Sequence, residues 1–367
     1  MINLELGHDM TEGDFEEYLK TRATFVNSKI EEYLTKKSSD QYVEKLLGKA
    51  VYKYDNDAIT KGILEPSWYL FSLGGKRWRP VLMLLMIEAL GVDANNYVEF
   101  SIIPEVIHNA TLIHDDIEDG SETRRGSPAV HVKFGLDVAN NLGDFLYYFP
   151  VVALINSKKL NTKTKDKMLE IYAQEMLRVT TGQAVDIAWH RFLVNPFRID
   201  EEEYLEMCYD KTGVLARMAC RMAGTLCQVD DDTVEKLGIF GATVGVAFQI
   251  QDDVLNIYES GVSKSKGGVG DDISEGKITL MVIHVLKVAE ERDKQRLTEI
   301  LKMHTKDKPL IDEAINLIKK YKGREYVSDI QKKIIMDAWN RIEQKLKESE
   351  AKKHLKELVD FLISRSV

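Results

Sequence analysis

The sequence predicts an all-α protein, folded as one large domain of packed helices. Three observations point there. Apolar residues recur every three to four positions in most segments. No stretch alternates apolar and polar residues over a strand's length, and no Asn-Gly pair marks a tight hairpin. Only seven prolines occur in 367 residues, so long helices can run uninterrupted. A hydrophobic content of 44% with 30% charged residues suits a globular chain with a sizeable core.

Taken in chain order, residues 1–40 open with MINLELGHDMTEGDFEEYL. This acidic start lacks the basic and apolar blocks of a secretory signal and the Arg-rich pattern of a transit peptide. It is expected as an N-terminal helical extension, standing partly apart within a single domain spanning 1–367. Segment 81–91, VLMLLMIEALG, is apolar on nearly every face and stops at Gly91, so a fully buried helix is expected. Segment 97–119 is similar until its acidic end. In 164–180 the apolar positions Met168, Ile171, Tyr172, Met176 and Val179 follow a 3.6-residue period. Segments 201–228 and 232–258 repeat that style. From 310 to 365, apolar positions alternate with Lys and Glu at helical spacing, as in amphipathic surface helices. Loops are expected at 92–96, 120–136, 193–200, 259–276 and 304–309, and no internal repeat is present.

A net charge of −9 argues against general affinity for nucleic acid or anionic membrane. No stretch is judged to approach the ~18 apolar residues of a bilayer span, so no transmembrane segment is expected. The three cysteines, Cys208, Cys220 and Cys227, form no CxxC pair. They read as buried apolar side chains in a reducing, cytoplasmic setting.

Chemistry is expected at residues 108–126, HNATLIHDDIEDGSETRRG. On a helix Asp115 and Asp119 share a face, and their charges repel unless a cation lies between them. A second apolar run, FQIQDDVLN at 248–256, also ends in a doublet, Asp252 and Asp253, followed by Asn256. Two apolar helices ending this way suggest one cavity lined by both ends. Carboxylate oxygens are what Mg²⁺ prefers, and Mg²⁺ usually bridges to substrate phosphates. Two basic groups supply the anion-binding side: Lys76, Arg77 and Arg79 in GGKRWRP, then Arg124 and Arg125.

From about residue 70 to 280 these stretches resemble the trans-isoprenyl diphosphate synthases. GGKRWRP, HNATLIHDDIEDGSETRRG, GQAVDIAW, KTG, FQIQDDVLN and GDDISEGK follow in that family's order. The resemblance implies a bundle of antiparallel helices around a deep central cavity, the isoprenoid synthase fold. It implies Mg-assisted condensation of isopentenyl diphosphate with allylic diphosphates, and a homodimer. By the same resemblance, Asp115, Asp119 and Asp252 hold three Mg²⁺ ions and Asp116 and Asp253 support them. Gln183 and Asp272 act through water. Arg124, Lys211, Gln183 and Lys277 contact the allylic diphosphate. Gly75, Lys76, Arg79, His108 and Arg125 form the isopentenyl diphosphate pocket. The Lys211 carbonyl, the Thr212 hydroxyl and Gln249 face the developing cation. Two departures matter. The second motif ends in Asn256 where many members have Asp, an ending found in eukaryotic geranylgeranyl diphosphate synthases and read here as an outer-shell role. Gly268 stands where many members carry Lys, leaving Lys266 to take that place.

Eukaryotic members that stop at farnesyl tend to carry aromatic residues four or five positions before the first Asp, where this chain has Thr111 and Ala110. The missing bulk favours geranylgeranyl diphosphate, C20, with farnesyl diphosphate or a mixed C15/C20 product as the alternative. Tyr147, Tyr148 and Phe149 are candidates for the cavity floor. A non-catalytic subunit of a heteromeric synthase would be expected to lose an Asp motif, and a terpene cyclase would lack the GGKRWRP pocket. A di-iron bundle needs two inner Glu-x-x-His motifs. Beyond Glu105–His108 the sequence offers only Glu5–His8. A P-loop reading of GDDISEGKIT fails on glycine spacing and on Ile278.

Overall fold

The computed structural model describes residues 12–258 and 269–364. In chain order, the helices that frame the site are α1 (Glu12–Tyr33), α2 (Trp78–Ala89), α3 (Ile102–Glu118), α4 (Leu136–Tyr148) and α5 (Thr162–His190). They continue as α6 (Val214–Leu226), α7 (Asp231–Tyr258), α8 (Leu280–Val288), α9 (Gly323–Ile342) and α10 (Glu350–Ser364). At the start of α5 the Asn161 carboxamide accepts from Thr164 N at 2.9 Å, and at α7 the Asp230 carboxylate accepts from Thr233 N at 2.9 Å.

Helix α6 is the axis of the fold. Every residue from Val214 to Leu226 is buried, because α2, α5 and α7 pack around it. Its two arginines, Arg217 and Arg221, are inside only because both pair with the fully buried Glu175 of α5. One apolar core surrounds α2, α3 and α6. A second joins the end of α7 to α8 through Ile250, Val254, Met281 and Val285. Helix α7 runs from one core into the other, which brings the Asp252 end opposite the Asp115 end of α3.

Several expectations change. The N-terminal extension is helical over α1, but it does not stand apart. Val26 and Ile30, four residues apart, bury fully in the main core with Leu34. The loop expected at 120–136 contains a two-residue antiparallel pair, β1 (Thr123–Arg124) with β2 (Ser127–Pro128), and a short helix, Val130–Phe134. Arg125 and Gly126 turn that hairpin with φ of 53° and 76°, which an Arg-Gly dipeptide does not advertise as Asn-Gly does. Residues 94–101, expected partly as loop, form a 3₁₀ helix. One segment does reach the length and composition of a membrane span: Leu136–Ile155, 20 residues at mean hydropathy 1.3. Its only charges are Asp137 and Asp144, yet Pro150 splits it into α4 and the short helix Val151–Ile155, and 44% of its most apolar 18-residue window is buried.

Candidate active site

A cavity of about 1640 Å³ opens between α3, α5 and α7. From α3 and its C-terminal cap it is lined by His108, Thr111, Leu112, Asp115 and Asp119, which recur at three- and four-residue steps. Thr111 stands one turn before Asp115 and shares its face. Ala110, five residues before, is fully buried in the core and does not line the cavity.

The carboxylates of both motifs and the lysines expected beside them do converge. Asp115 Oδ1 lies 3.3 Å from Lys211 Nζ and accepts from Gln183 Nε2 at 3.2 Å. Asp119 accepts from Lys277 Nζ at 3.0 Å. Asp252 faces the cavity from α7. Between them sits Asp186 on α5, which accepts from Lys211 at 2.5 Å and Lys277 at 3.1 Å. Burial alone would raise the Asp186 carboxyl, but Lys211, His190 and Lys277 hold it well below the usual range. Burial would likewise lower both lysines, but Asp115 with Asp186, and Asp186 with Asp119, hold their ammonium groups above the ordinary value. Sequence reasoning missed Asp186. Its one signal was an acid three residues after Gln183 inside an otherwise apolar stretch of GQAVDIAW.

Lys211 and Thr212 lie in a π-turn, Tyr209–Gly213, between two α-helices. A π-turn breaks the regular ladder and marks functional positions. Gly182 lets α5 approach it closely, since a Cβ there would meet the backbone of Asp210 and Lys211. The Thr212 hydroxyl donates to Gln249 Oε1 at 3.1 Å, and Gln249 Nε2 donates to Asp253 Oδ1 at 2.7 Å. Asp253 also accepts from the buried Tyr204 hydroxyl at 2.6 Å. Burial pushes the Asp253 carboxyl up to about 6, despite those two donors. Asp116 is buried too, and it accepts from Arg124 Nε at 2.9 Å and from Nη2. Each doublet therefore presents one carboxylate to the cavity and uses the other to fix a neighbour.

The second basic group lines the same cavity. Lys76 is exposed to it, Arg79 is buried beneath with its guanidinium 4.5 Å from the Trp78 ring centroid, and Arg125 donates to Gly74 O. Burial lowers Arg79 to about 10. Burial, then Arg79 and Arg125, hold the His108 imidazole well below its ordinary value, so it is neutral at pH 7. Gly75 has a φ of 141°, and a Cβ there would come within 2.8 Å of Arg77 Nη1 and 3.2 Å of Arg125 Nη2. Arg77 itself is buried against Glu105 at 2.8 Å. That contact occupies the Glu-x-x-His carboxylate that a di-iron site would need.

Asn256 lines the cavity one turn beyond Asp252 and is engaged by backbone. Its Oδ1 accepts from Asp272 N at 3.2 Å and its carbonyl accepts from Gly270 N at 2.9 Å, so it anchors the segment leading to Lys277. Lys266 and Gly268 lie outside the described residues. Of the floor candidates, Tyr147 lines the cavity and stacks on His114 with ring centroids 5.1 Å apart. Phe149 is core, and Tyr148 is 74% exposed because it points off the far side of α4. Among the described residues no three carboxylate, imidazole or thiolate groups close on one point. That donor set suits Mg²⁺, which takes one or two carboxylates and completes its shell with water and phosphate oxygens. It does not suit a metal held by protein alone.

The polyprenyl synthetase profile matches residues 60–318, which takes in both Asp motifs. The chain belongs to the polyprenyl synthetase family. As a family member it is a prenyltransferase with the all-α isoprenoid synthase fold. It is 35% identical over 310 residues to a short chain isoprenyl diphosphate synthase of Methanothermobacter thermautotrophicus, covering 84% of this chain and 92% of that one. It is 34% identical over 308 residues to a geranylgeranyl diphosphate synthase of Saccharolobus solfataricus, covering 83% and 91%. A crystal structure of a geranylgeranyl pyrophosphate synthetase from Pyrococcus horikoshii superposes with a TM-score of 0.80 at 31% identity, covering 96% and 98%. These relatives are archaeal, whereas the DDxxN ending alone had suggested a eukaryotic likeness.

Proposed function

We propose that this prenyltransferase condenses isopentenyl diphosphate with allylic diphosphates, releases diphosphate, and makes geranylgeranyl diphosphate, C20. One observation carries the reading: two separate basic groups line one cavity with both Asp motifs between them. A single diphosphate needs one such group, and a condensation needs two.

In this reading Asp115, Asp119 and Asp252 hold Mg²⁺, with Gln183 and Asp272 acting through water. Magnesium, when bound, neutralises the leaving diphosphate so that the allylic C–O bond can ionise. Arg124, Lys211 and Lys277 bind that diphosphate, and Asp116 keeps the Arg124 fork in plane. The Thr212 hydroxyl oxygen, the Gln249 carbonyl oxygen and the Lys211 carbonyl turn their negative ends toward the allylic carbon. Asp253, held by Tyr204, accepts from the Gln249 amide nitrogen and so keeps its oxygen facing outward. Lys76, Arg79, His108 and Arg125 orient isopentenyl diphosphate for attack by its double bond. The released diphosphate takes the proton, so no side-chain base is required. Apolar walls exclude the water that would quench the cation.

C20 is favoured over C15 because Thr111 lines the cavity one turn before Asp115 where an aromatic ring would block it. Five relatives at 30 to 34% identity carry geranylgeranyl synthase names. A homodimer and a cytoplasmic location belong to the same proposal. The test is diphosphate release by the purified chain alone, with farnesyl and isopentenyl diphosphates and Mg²⁺. One diphosphate released per isopentenyl unit consumed is expected. No release without an added partner protein would favour the non-catalytic subunit.

A further inference from the structure

The N-terminal helix meets the second diphosphate site through one side chain. Arg77 sits between Lys76 and Trp78 but turns inward, with a left-handed φ of 52° and 6% exposure. Each edge of its guanidinium is engaged. Nη1 donates to Glu105 Oε1 at 2.8 Å and lies 3.5 Å from Gly74 O. Nη2 donates to Phe71 O at 3.2 Å, and Nε donates to Asn27 Oδ1 on α1 at 3.0 Å. Glu105 is fixed in turn by Asn109 Nδ2 at 3.1 Å.

The loop Gly74–Lys76 belongs to no helix or strand. It is gripped instead by two arginines, Arg77 and Arg125, which both reach Gly74 O. The close approach at Gly75 leaves no room for a side chain between them. Helix α1 is itself fastened to α2, where Tyr18 donates to Glu88 at 2.9 Å and Arg22 pairs with the same carboxylate.

We propose that Arg77 is a positioning residue for the isopentenyl diphosphate subsite, and that α1 completes that subsite by holding Arg77 through Asn27. The proposal rests on reading Lys76, Arg79 and Arg125 as the ligands there. A buried ion pair such as Arg77–Glu105 is poor glue, because removing two charges from water offsets most of their attraction. What it supplies is geometry. A planar fork held on all edges cannot rotate, and the backbone that carries Lys76 cannot drift. Asn27 is exposed, so its bond adds little to stability while fixing the last free edge.

The test is steady-state kinetics with each substrate varied in turn. Asn27→Ala should raise KM for isopentenyl diphosphate three- to tenfold, leaving the allylic KM and Tm unchanged, and Asn27→Asp should restore it. The double variant Arg77→Met with Glu105→Leu removes both charges, so it avoids a bare buried carboxylate, and should raise that KM more than tenfold while still folding. Unchanged KM for isopentenyl diphosphate in folded variants overturns the proposal, as does an equal rise in both KM values. If the wild type turns over neither substrate, the functional reading fails separately. Calorimetric titration with isopentenyl diphosphate then decides: weaker binding by Asn27→Ala supports the positioning role, and equal or absent binding overturns it.

Discussion

The two Asp motifs, DDIED and DDVLN, open on the same doublet, yet the structure gives those doublets different surroundings. At the first, each of the three aspartates meets a cation: Asp115 has Lys211, Asp116 has Arg124 and Asp119 has Lys277, while Glu118 accepts from the Gln183 amide. At the second, on α7, Asp252 faces the cavity but Asp253 meets a phenol and an amide, and Asn256 meets backbone. The lesson is that the motif spells a helix end and not a set of ligands. The partners supplied by α5, the π-turn and the segment after α7 decide what each acid does. The cavity-facing acids, Asp115 and Asp252, share one role, and the buried partners divide: Asp116 fixes a charge, Arg124, and Asp253 orients a dipole, the Gln249 amide.

The sharpest way to break this comparison is to remove the cavity-facing acids. Asp115→Ala should lower kcat by on the order of 10³, because its loss removes stabilisation present mainly in the transition state. Near-normal turnover at saturating Mg²⁺ would contradict the metal role. The buried partners should cost less, and in different currencies. Asp116→Ala releases Arg124, so the allylic KM should rise by about tenfold to a hundredfold. Asp253→Asn disturbs Gln249, so kcat should fall by about tenfold with both KM values little changed. If the two variants show the same kinetic signature, the division of labour is wrong.

Residue Thr111 tests the cavity wall. Thr111→Phe should shorten the principal product from C20 to C15, read by chromatography of dephosphorylated products, and unchanged C20 would remove Thr111 from the wall. The smallest kinetic effect belongs to Asn256→Asp. Because Asn256 Oδ1 is engaged by the Asp272 backbone amide, kcat should stay within about threefold; a large gain would mean that a third ligand was missing. Protonation offers a last distinction. The Asp253 carboxyl is raised from its model-compound value of 3.8 to about 6. The folded state therefore holds a proton that the unfolded state has lost, and stability falls as pH rises through that window. The upper bound on that loss is ~3 kcal/mol. Thermal unfolding should show a decline between pH 4 and 6 that is smaller in Asp253→Asn. An identical decline in both would assign it to other groups.

What was legible in the sequence followed helical period and motif spacing. Asp115 and Asp119 share a face because they are four residues apart, and Thr111 joins them for the same reason. The family resemblance offered Ala110 beside it, but at five residues before Asp115 that side chain turns into the core. Contacts between elements were not legible. Nothing near Asp186 reveals that two lysines, 25 and 91 residues onward, will converge on it. Tyr204 and Asp253 are 49 residues apart, and Arg77 meets Glu105 only because α2 and α3 are neighbours. The π-turn that carries Lys211 has no signature in KTG itself. It becomes visible only where α5 closes on it at Gly182.

The most direct test of the account is the product series. The purified protein is incubated with isopentenyl diphosphate, Mg²⁺ and, in separate reactions, the C5, C10 and C15 allylic diphosphates, and chain lengths are measured. The account predicts that all three primers are extended and converge on C20. Primers returned unextended would contradict prenyl elongation itself, and extension that halts at C15 would contradict the open wall at Thr111.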